Sequence, residues 1–189
     1  MLPSVDDARR SLRQHRWQDA LNGFREADLA RALGPDDLVD YSAAAWFAGD
    51  VDAATDVLER AYAGFDSAGR RAEAALAALR LARLAMLAVS PSVMAGWIAR
   101  AQRQLEGEPE SEAHAWLAVM RSLIAAFGHG DFAGGIELAD EALALARRHD
   151  SPDVESLALV GKGNMLLRLG MWRDGLALVE EGAAAATSE

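Results

Sequence analysis

An all-α fold, an array of about five antiparallel helix pairs, is what this sequence predicts, and three observations predict it. The first is a recurring pattern of a bulky apolar residue three positions before a small one. Trp17-Gln-Asp-Ala20, Val51-Asp-Ala-Ala54, Phe132-Ala-Gly-Gly135 and Trp172-Arg-Asp-Gly175 carry it, with a weaker copy at Val93-Met-Ala-Gly96. The bulky residues are spaced by 34, 42, 39 and 40 positions, a range typical of stacked helical repeats. The second is a sequence rich in alanine, a strong helix former, with no alternating β-branched runs beside turns. The third is a set of short glycine or proline breaks that make successive helices antiparallel neighbours.

The elements follow in chain order. Helices are expected over 5–14 and 17–32, 38–48 and 51–67, 70–88 and 92–106, 110–127 and 132–149, and 153–169 and 172–186. The pairs so formed are 5–32, 38–67, 70–106, 110–149 and 153–186, together one helical-repeat domain over 1–189. Gly49-Asp50, Gly128-His-Gly130-Asp131 and Gly170 end first helices, because glycine accepts the left-handed residue that closes a helix. Asp50 and Asp131 then stand where an N-cap accepts the free amides of the next helix. Val89-Ser90-Pro91-Ser92 makes the corresponding break with proline in a first turn. Gly34-Pro35-Asp36 and Asp150-Ser151-Pro152 separate pairs.

Small residues also recur at fixed offsets. Ala8 precedes Ala20 by twelve positions, as Ser42 precedes Ala54 and Gly163 precedes Gly175. Seven positions after the small residue of each second helix stand Ala27, Ala61, Ala142 and Gly182. Small side chains at such points let two helix backbones cross closely. These offsets resemble the tetratricopeptide repeat, and the resemblance implies a tetratricopeptide-like superhelical array. The third pair departs from it, because Arg103 falls where a small residue is expected.

Bulk composition excludes several functions. The net charge of −10 opposes direct nucleic-acid binding, which requires cations to neutralise phosphates. With no cysteine there is no disulfide and no cysteine-based metal site. The first ten residues lack the apolar core of a signal peptide. The stretch 72–89 contains Arg80 and Arg83 and is too polar to span a membrane. A cytoplasmic protein without membrane contact is expected.

Candidate chemistry is sparse. Gly161-Lys162-Gly163-Asn164 lies inside an expected helix and lacks the strand and the Lys-Ser/Thr ending of a phosphate-binding loop. His15, His114, His129 and His149 have no metal-ligand spacing; three of them fall at helix C-termini, where partial positive charge is favourable. No nucleophile, acid and base can be assembled, so a non-enzyme without cofactors is expected. Trp17 and Trp172 are expected in the core. Registration on the bulky residues selects Tyr41, Arg83, Arg121 and Lys162, ten or eleven positions before them, with Arg80 one turn before Arg83. First helices of such arrays line the concave surface that usually carries the ligand. These five residues are therefore the groove candidates, suited to an acidic peptide or a small anionic effector.

Three stretches carry a further resemblance. They are Tyr41-Ser-Ala-Ala-Ala-Trp-Phe-Ala-Gly-Asp50, Ala95-Gly-Trp-Ile-Ala-Arg-Ala-Gln-Arg-Gln-Leu105, and Leu157-Ala-Leu-Val-Gly-Lys-Gly-Asn-Met-Leu-Leu-Arg-Leu-Gly170 running on through Gly175-Leu-Ala-Leu-Val-Glu-Glu181. Together they resemble the N-terminal repeat module of actinobacterial LuxR-family transcriptional regulators. In that family the repeats continue and end in a helix-turn-helix domain that binds DNA. The resemblance implies a protein- or ligand-binding regulatory module, truncated before further repeats and its output domain. Its alternatives are a stand-alone interaction adaptor and the sensory module of a nucleotide cyclase. An alanine-rich last helix without a polar cap is expected to leave a face open to self-association.

Overall fold

A computed structural model of the chain describes residues 4–186. Its helices are α1 (Val5–Arg13), α2 (Trp17–Ala30), α3 (Pro35–Phe47), α4 (Val51–Ser67), α5 (Arg71–Leu87), α6 (Pro91–Leu105), α7 (Glu112–Leu123), α8 (Phe132–Arg148), α9 (Pro152–Arg168) and α10 (Trp172–Ala186). A π-helical turn, Ile124–Gly128, extends α7. No strand occurs among the described residues, and no described helix is long and apolar enough to cross a membrane. The fold is an all-α, tetratricopeptide-like array of helix pairs. Contacts divide it into two compact units, Met1–Gln104 and Leu105–Glu189.

Helix starts follow from local chemistry. The Asp50 carboxylate accepts the Ala53 amide at 3.1 Å, and the Asp131 carboxylate accepts that of Gly134 at 2.9 Å, each satisfying an amide with no intrahelical partner. Ser4 and Asp7 form a reciprocal capping box at the start of α1. Pro35, Pro91 and Pro152 are each the first residue of their helices, where the missing N–H costs nothing.

The turn inside every pair has one geometry. His15, Gly49, Val89, Gly130 and Gly170 adopt left-handed φ values of 57°, 84°, 53°, 74° and 81°. Each stands two positions before the first residue of its second helix. This register corrects the third pair: its equivalent of Trp17 and Val51 is Pro91, and Val93 lies two positions beyond it. The small residue expected ten positions on is then Ala101, fully buried, in place of Arg103. Only Met94 departs from the pattern, standing where the other second helices have Ala20, Ala54, Gly135 and Gly175.

The crossings explain why those residues are small. The Ser42 hydroxyl donates to the Ala54 carbonyl at 2.8 Å, and the Ser122 hydroxyl donates to the Gly135 carbonyl at 2.7 Å. A Cβ on Gly182 would lie 2.8 Å from the Ser156 carbonyl oxygen, nearer than van der Waals contact allows. Ser122 and Gly135 are thirteen residues apart, whereas Ser42 and Ala54 are twelve apart. The π-helical turn absorbs the additional residue, since a π bulge inserts one position into an α-helix. Within the first unit, α3 packs on both α2 and α4, and Phe24 and Tyr41 stack at its centre. Within the second, α9 packs on α8 and α10 around Trp116, Met120, Val154 and Met165.

Candidate functional site

The structure distributes the five groove candidates unevenly. Tyr41 is 6% exposed, with its ring stacked on Phe24 at 5.8 Å between α2 and α3. Tyr41 is thus a core residue, because the space left by two crossing helices takes a flat aromatic ring. Arg80 and Arg83 are half-buried on α5, in the first unit. Arg121 is exposed on α7, and Lys162, half-buried on α9, pairs with Asp140 of α8.

The turn register reassigns one candidate. Tyr41 and Lys162 precede their left-handed residues by eight positions, and Arg121 by nine because of the π-helical turn. The residue of α5 in that column is Leu81, 1% exposed. Arg83 precedes Val89 by only six and belongs to another face of its helix. Only a count from Val93, two positions beyond the true anchor Pro91, places Arg83 in that column. A four-residue pattern at the start of α6 slid by two positions, and two positions are 200° around a helix.

Basic side chains join successive pairs. Arg60 of α4 makes two hydrogen bonds to the Asp28 carboxylate of α2, at 2.7 and 2.9 Å. Arg70 makes two to Asp36 at the same distances, and a third to Glu73. Arg9 of α1 reaches Asp37 and Asp40 of α3. These donors hold the Asp28 and Asp36 carboxyls below the usual carboxylate range. In the second unit the hydrogen bonds from Arg148 and His149 pull the Glu110 carboxyl from 4.5 to about 2. These ion pairs tie neighbouring helix pairs together in the first unit, and the two ends of the fourth pair in the second.

The remaining polar candidates serve the fold. The His114 ring nitrogen lies 3.2 Å from the Ser111 amide and caps α7. Asn164, from the glycine-containing stretch of α9, donates to the Val160 carbonyl one turn back. The Trp116 indole is 4% exposed and donates to Glu112 at 3.2 Å. Among the described residues no group of three or more His, Asp or Glu could hold a metal ion.

Sequence reasoning missed exposed apolar edges, one within each unit. The bulky anchors are not core residues: Val51 is 42% exposed and Trp172 64%. Beside them the ends of the first helices expose Phe47, Leu87 and Val89 in one unit, and Phe127, Leu169 and Met171 in the other. The pattern could have revealed this, since every anchor opens its helix, beside a turn that nothing in its own pair covers. Part of the edge is closed by its own rings. Trp17 is sandwiched between His15 at 4.8 Å and Phe47 at 4.6 Å. Next to it an open recess of about 470 Å³ is lined by Gln18, Leu21, Arg25, Gly49, Asp50 and Asp52, and the Arg25–Asp50 ion pair crosses it.

Fold and edge together define a helical-repeat protein of the tetratricopeptide-like class. No protein-family model matches the chain, and no curated protein matches it significantly. Solved structures do. The chain is similar to BtubC of P. vanneervenii, with a TM-score of 0.64 at 17% identity over 96% of this chain and 78% of that one. It is similar to the kinesin light chain nearly identical TPR-like repeats of Podosopora anserina, with a TM-score of 0.61 at 14% identity over 96% and 92%. A MamA double mutant from RS-1 has a TM-score of 0.58 at 18% identity over 97% and 94%. At these identities the likeness establishes the fold alone.

Proposed function

We propose that this chain is a non-catalytic protein-interaction module, which binds its partner through the apolar edge of its first unit. The observation that carries this reading is the exposure of Leu87, Val89 and Val93 at 56%, 85% and 51% around one turn. Single exposed apolar residues are ordinary, but grouped ones mark interaction sites. Val89 adds to the case. It is β-branched, yet holds a left-handed conformation that glycine takes in three of the other pairs. Such strain is more often retained at functional positions than elsewhere. The tetratricopeptide-like fold commonly mediates protein–protein contacts, in accord with this reading.

The finer context rests on the resemblance to LuxR-family regulators. There the module is cytoplasmic and biases a DNA-binding domain that these residues do not supply. An acidic partner segment or small anionic effector engaging the exposed Arg121 of the second unit is the second reading, favoured by that exposure. Affinity capture with the immobilised chain, read by cross-linking mass spectrometry, separates the two. Partners cross-linked to α5 and α6, kept by Arg121→Glu and lost by Leu87→Glu/Val93→Glu, support the apolar edge. Loss only on Arg121→Glu favours the cationic reading, and equal capture by all variants overturns both.

A further inference from the structure

The third helix pair differs in charge from the rest of an acidic chain. From Ala74 to Leu105 stand Arg80, Arg83, Arg100 and Arg103 and no aspartate or glutamate, although the whole sequence carries 29 carboxylates and a net charge of −10. Every other helix carries at least one carboxylate, and α6 carries none. The same pair exposes Leu87, Val89 and Val93 around its turn.

One of these arginines is held beside that turn. Arg100 is exposed on α6, and its guanidinium lies 4.6 Å from the centre of the half-buried Trp97 ring. A Cβ on Gly96 would meet an Arg100 nitrogen at 3.4 Å, so the side chain folds back over the bare backbone of Gly96. Its cation therefore lies toward the start of the helix, where Val93 stands seven residues earlier on the same face. Trp97 is fixed in turn by the ring of Tyr62 of α4, at 5.3 Å. Arg9, Arg25, Arg60 and Arg70 of the same unit each hold a carboxylate; Arg100 holds none among the described residues. A guanidinium stacked on an indole presents its N–H edge to a two-oxygen acceptor and loses little freedom on pairing. Beside it the apolar turn adds area to bury and no acid to repel an anion. A basic segment would meet like charge here and find no carboxylate on α6.

We propose that the segment this turn receives is acidic and amphipathic: its apolar side chains seat on Leu87, Val89 and Val93, and one of its carboxylates pairs with Arg100. The inference rests on the reading of this turn as the partner-binding edge and names the chemistry of what binds there. Selection of a displayed random-peptide library on the immobilised 189-residue chain, with counter-selection on Leu87→Glu/Val93→Glu, isolates the peptides that need the turn. Their sequences should combine large apolar residues with Asp and Glu. A chain of net charge −10 attracts basic peptides nonspecifically, so acidic ones are not the background. Fluorescence anisotropy with the most enriched peptide should show binding about tenfold weaker for Arg100→Glu, where attraction becomes repulsion. Arg100→Lys, which keeps the charge and loses the planar fork, should fall between the two. High salt should narrow the difference, and far-UV circular dichroism should be the same for all variants. Turn-dependent peptides that are neutral or basic, or binding that Arg100→Glu leaves unchanged, overturn the inference and leave the apolar edge standing. A library that yields no turn-dependent peptide overturns the edge and the inference together.

Discussion

Gly163 of α9 and Gly175 of α10 meet with no side chain between them: a Cβ on Gly163 would lie 2.7 Å from the Gly175 carbonyl oxygen. The same Cβ would lie 2.8 Å from a methyl group of Val179. Backbone on one side and a β-branched side chain on the other leave nothing soft to move. Alanine favours a helix interior by about 1 kcal/mol over glycine, but overpacking costs about 1–3 kcal/mol. The clash is therefore the larger effect. Gly163→Ala should lower stability by about 1–2 kcal/mol in urea titration. Gly96→Ala, whose nearest neighbour is a flexible Arg100 nitrogen at 3.4 Å, should instead gain up to about 1 kcal/mol.

Val89 should respond in the opposite sense to a buried apolar residue. Its side chain is 85% exposed, so removing it forfeits little burial, while its φ of 53° is costly for a β-branched residue. Left-handed backbone costs an L-residue roughly 1–2 kcal/mol, more than the added chain entropy of glycine in the unfolded state. Val89→Gly should raise stability by about 1 kcal/mol, seen as a higher denaturation midpoint. Gly49→Val, the reverse change at an equivalent turn with φ 84°, should lower it by a similar amount. If Val89→Gly also weakens partner binding, the turn trades stability for contact.

The π-helical turn should tolerate shortening. Deleting Ala125 leaves Ser122 and Gly135 twelve positions apart, the separation of Ser42 and Ala54. The deletion should therefore convert the turn to α-helix and keep the hydrogen bond between Ser122 and Gly135. Helical circular dichroism and a cooperative melt should persist. The same deletion within α4, where no additional residue is stored, should abolish cooperative unfolding.

Acid should weaken the second unit through Glu110. Its carboxyl falls from 4.5 to about 2 in the fold through Arg148 and His149, so the folded state releases its proton more readily than the unfolded chain. The contribution is fully present above pH 4.5 and declines as pH falls toward 2. The group is exposed, and salt should reduce the effect. Glu110→Gln should flatten the dependence of melting temperature on pH in this window, and high salt should narrow the difference between the two proteins.

Much of the fold was legible because its signals are local. Gly49, Asp50, Gly130, Asp131 and Gly170 punctuate the chain by backbone and capping chemistry that acts within four residues. The twelve-residue offsets of Ala8, Ser42 and Gly163 mark helix crossings because the same short turn sets the register of the two helices in each of these pairs. The third pair's register is hidden in the sequence because its left-handed residue is Val89, a residue type that does not announce a turn. The site was less legible. Tyr41, chosen as a groove residue, fills the core, and Trp172, expected in the core, is exposed.

By itself the sequence determined where helices start, where they stop, and which small residues let them cross, since these depend on neighbours along the chain. Only the tertiary structure decided which apolar residues are covered. Leu21 and Leu176 occupy one position of the repeat, yet one is 2% exposed and the other 51%. The difference lies in the helix packed against each, and no residue near either in sequence records it.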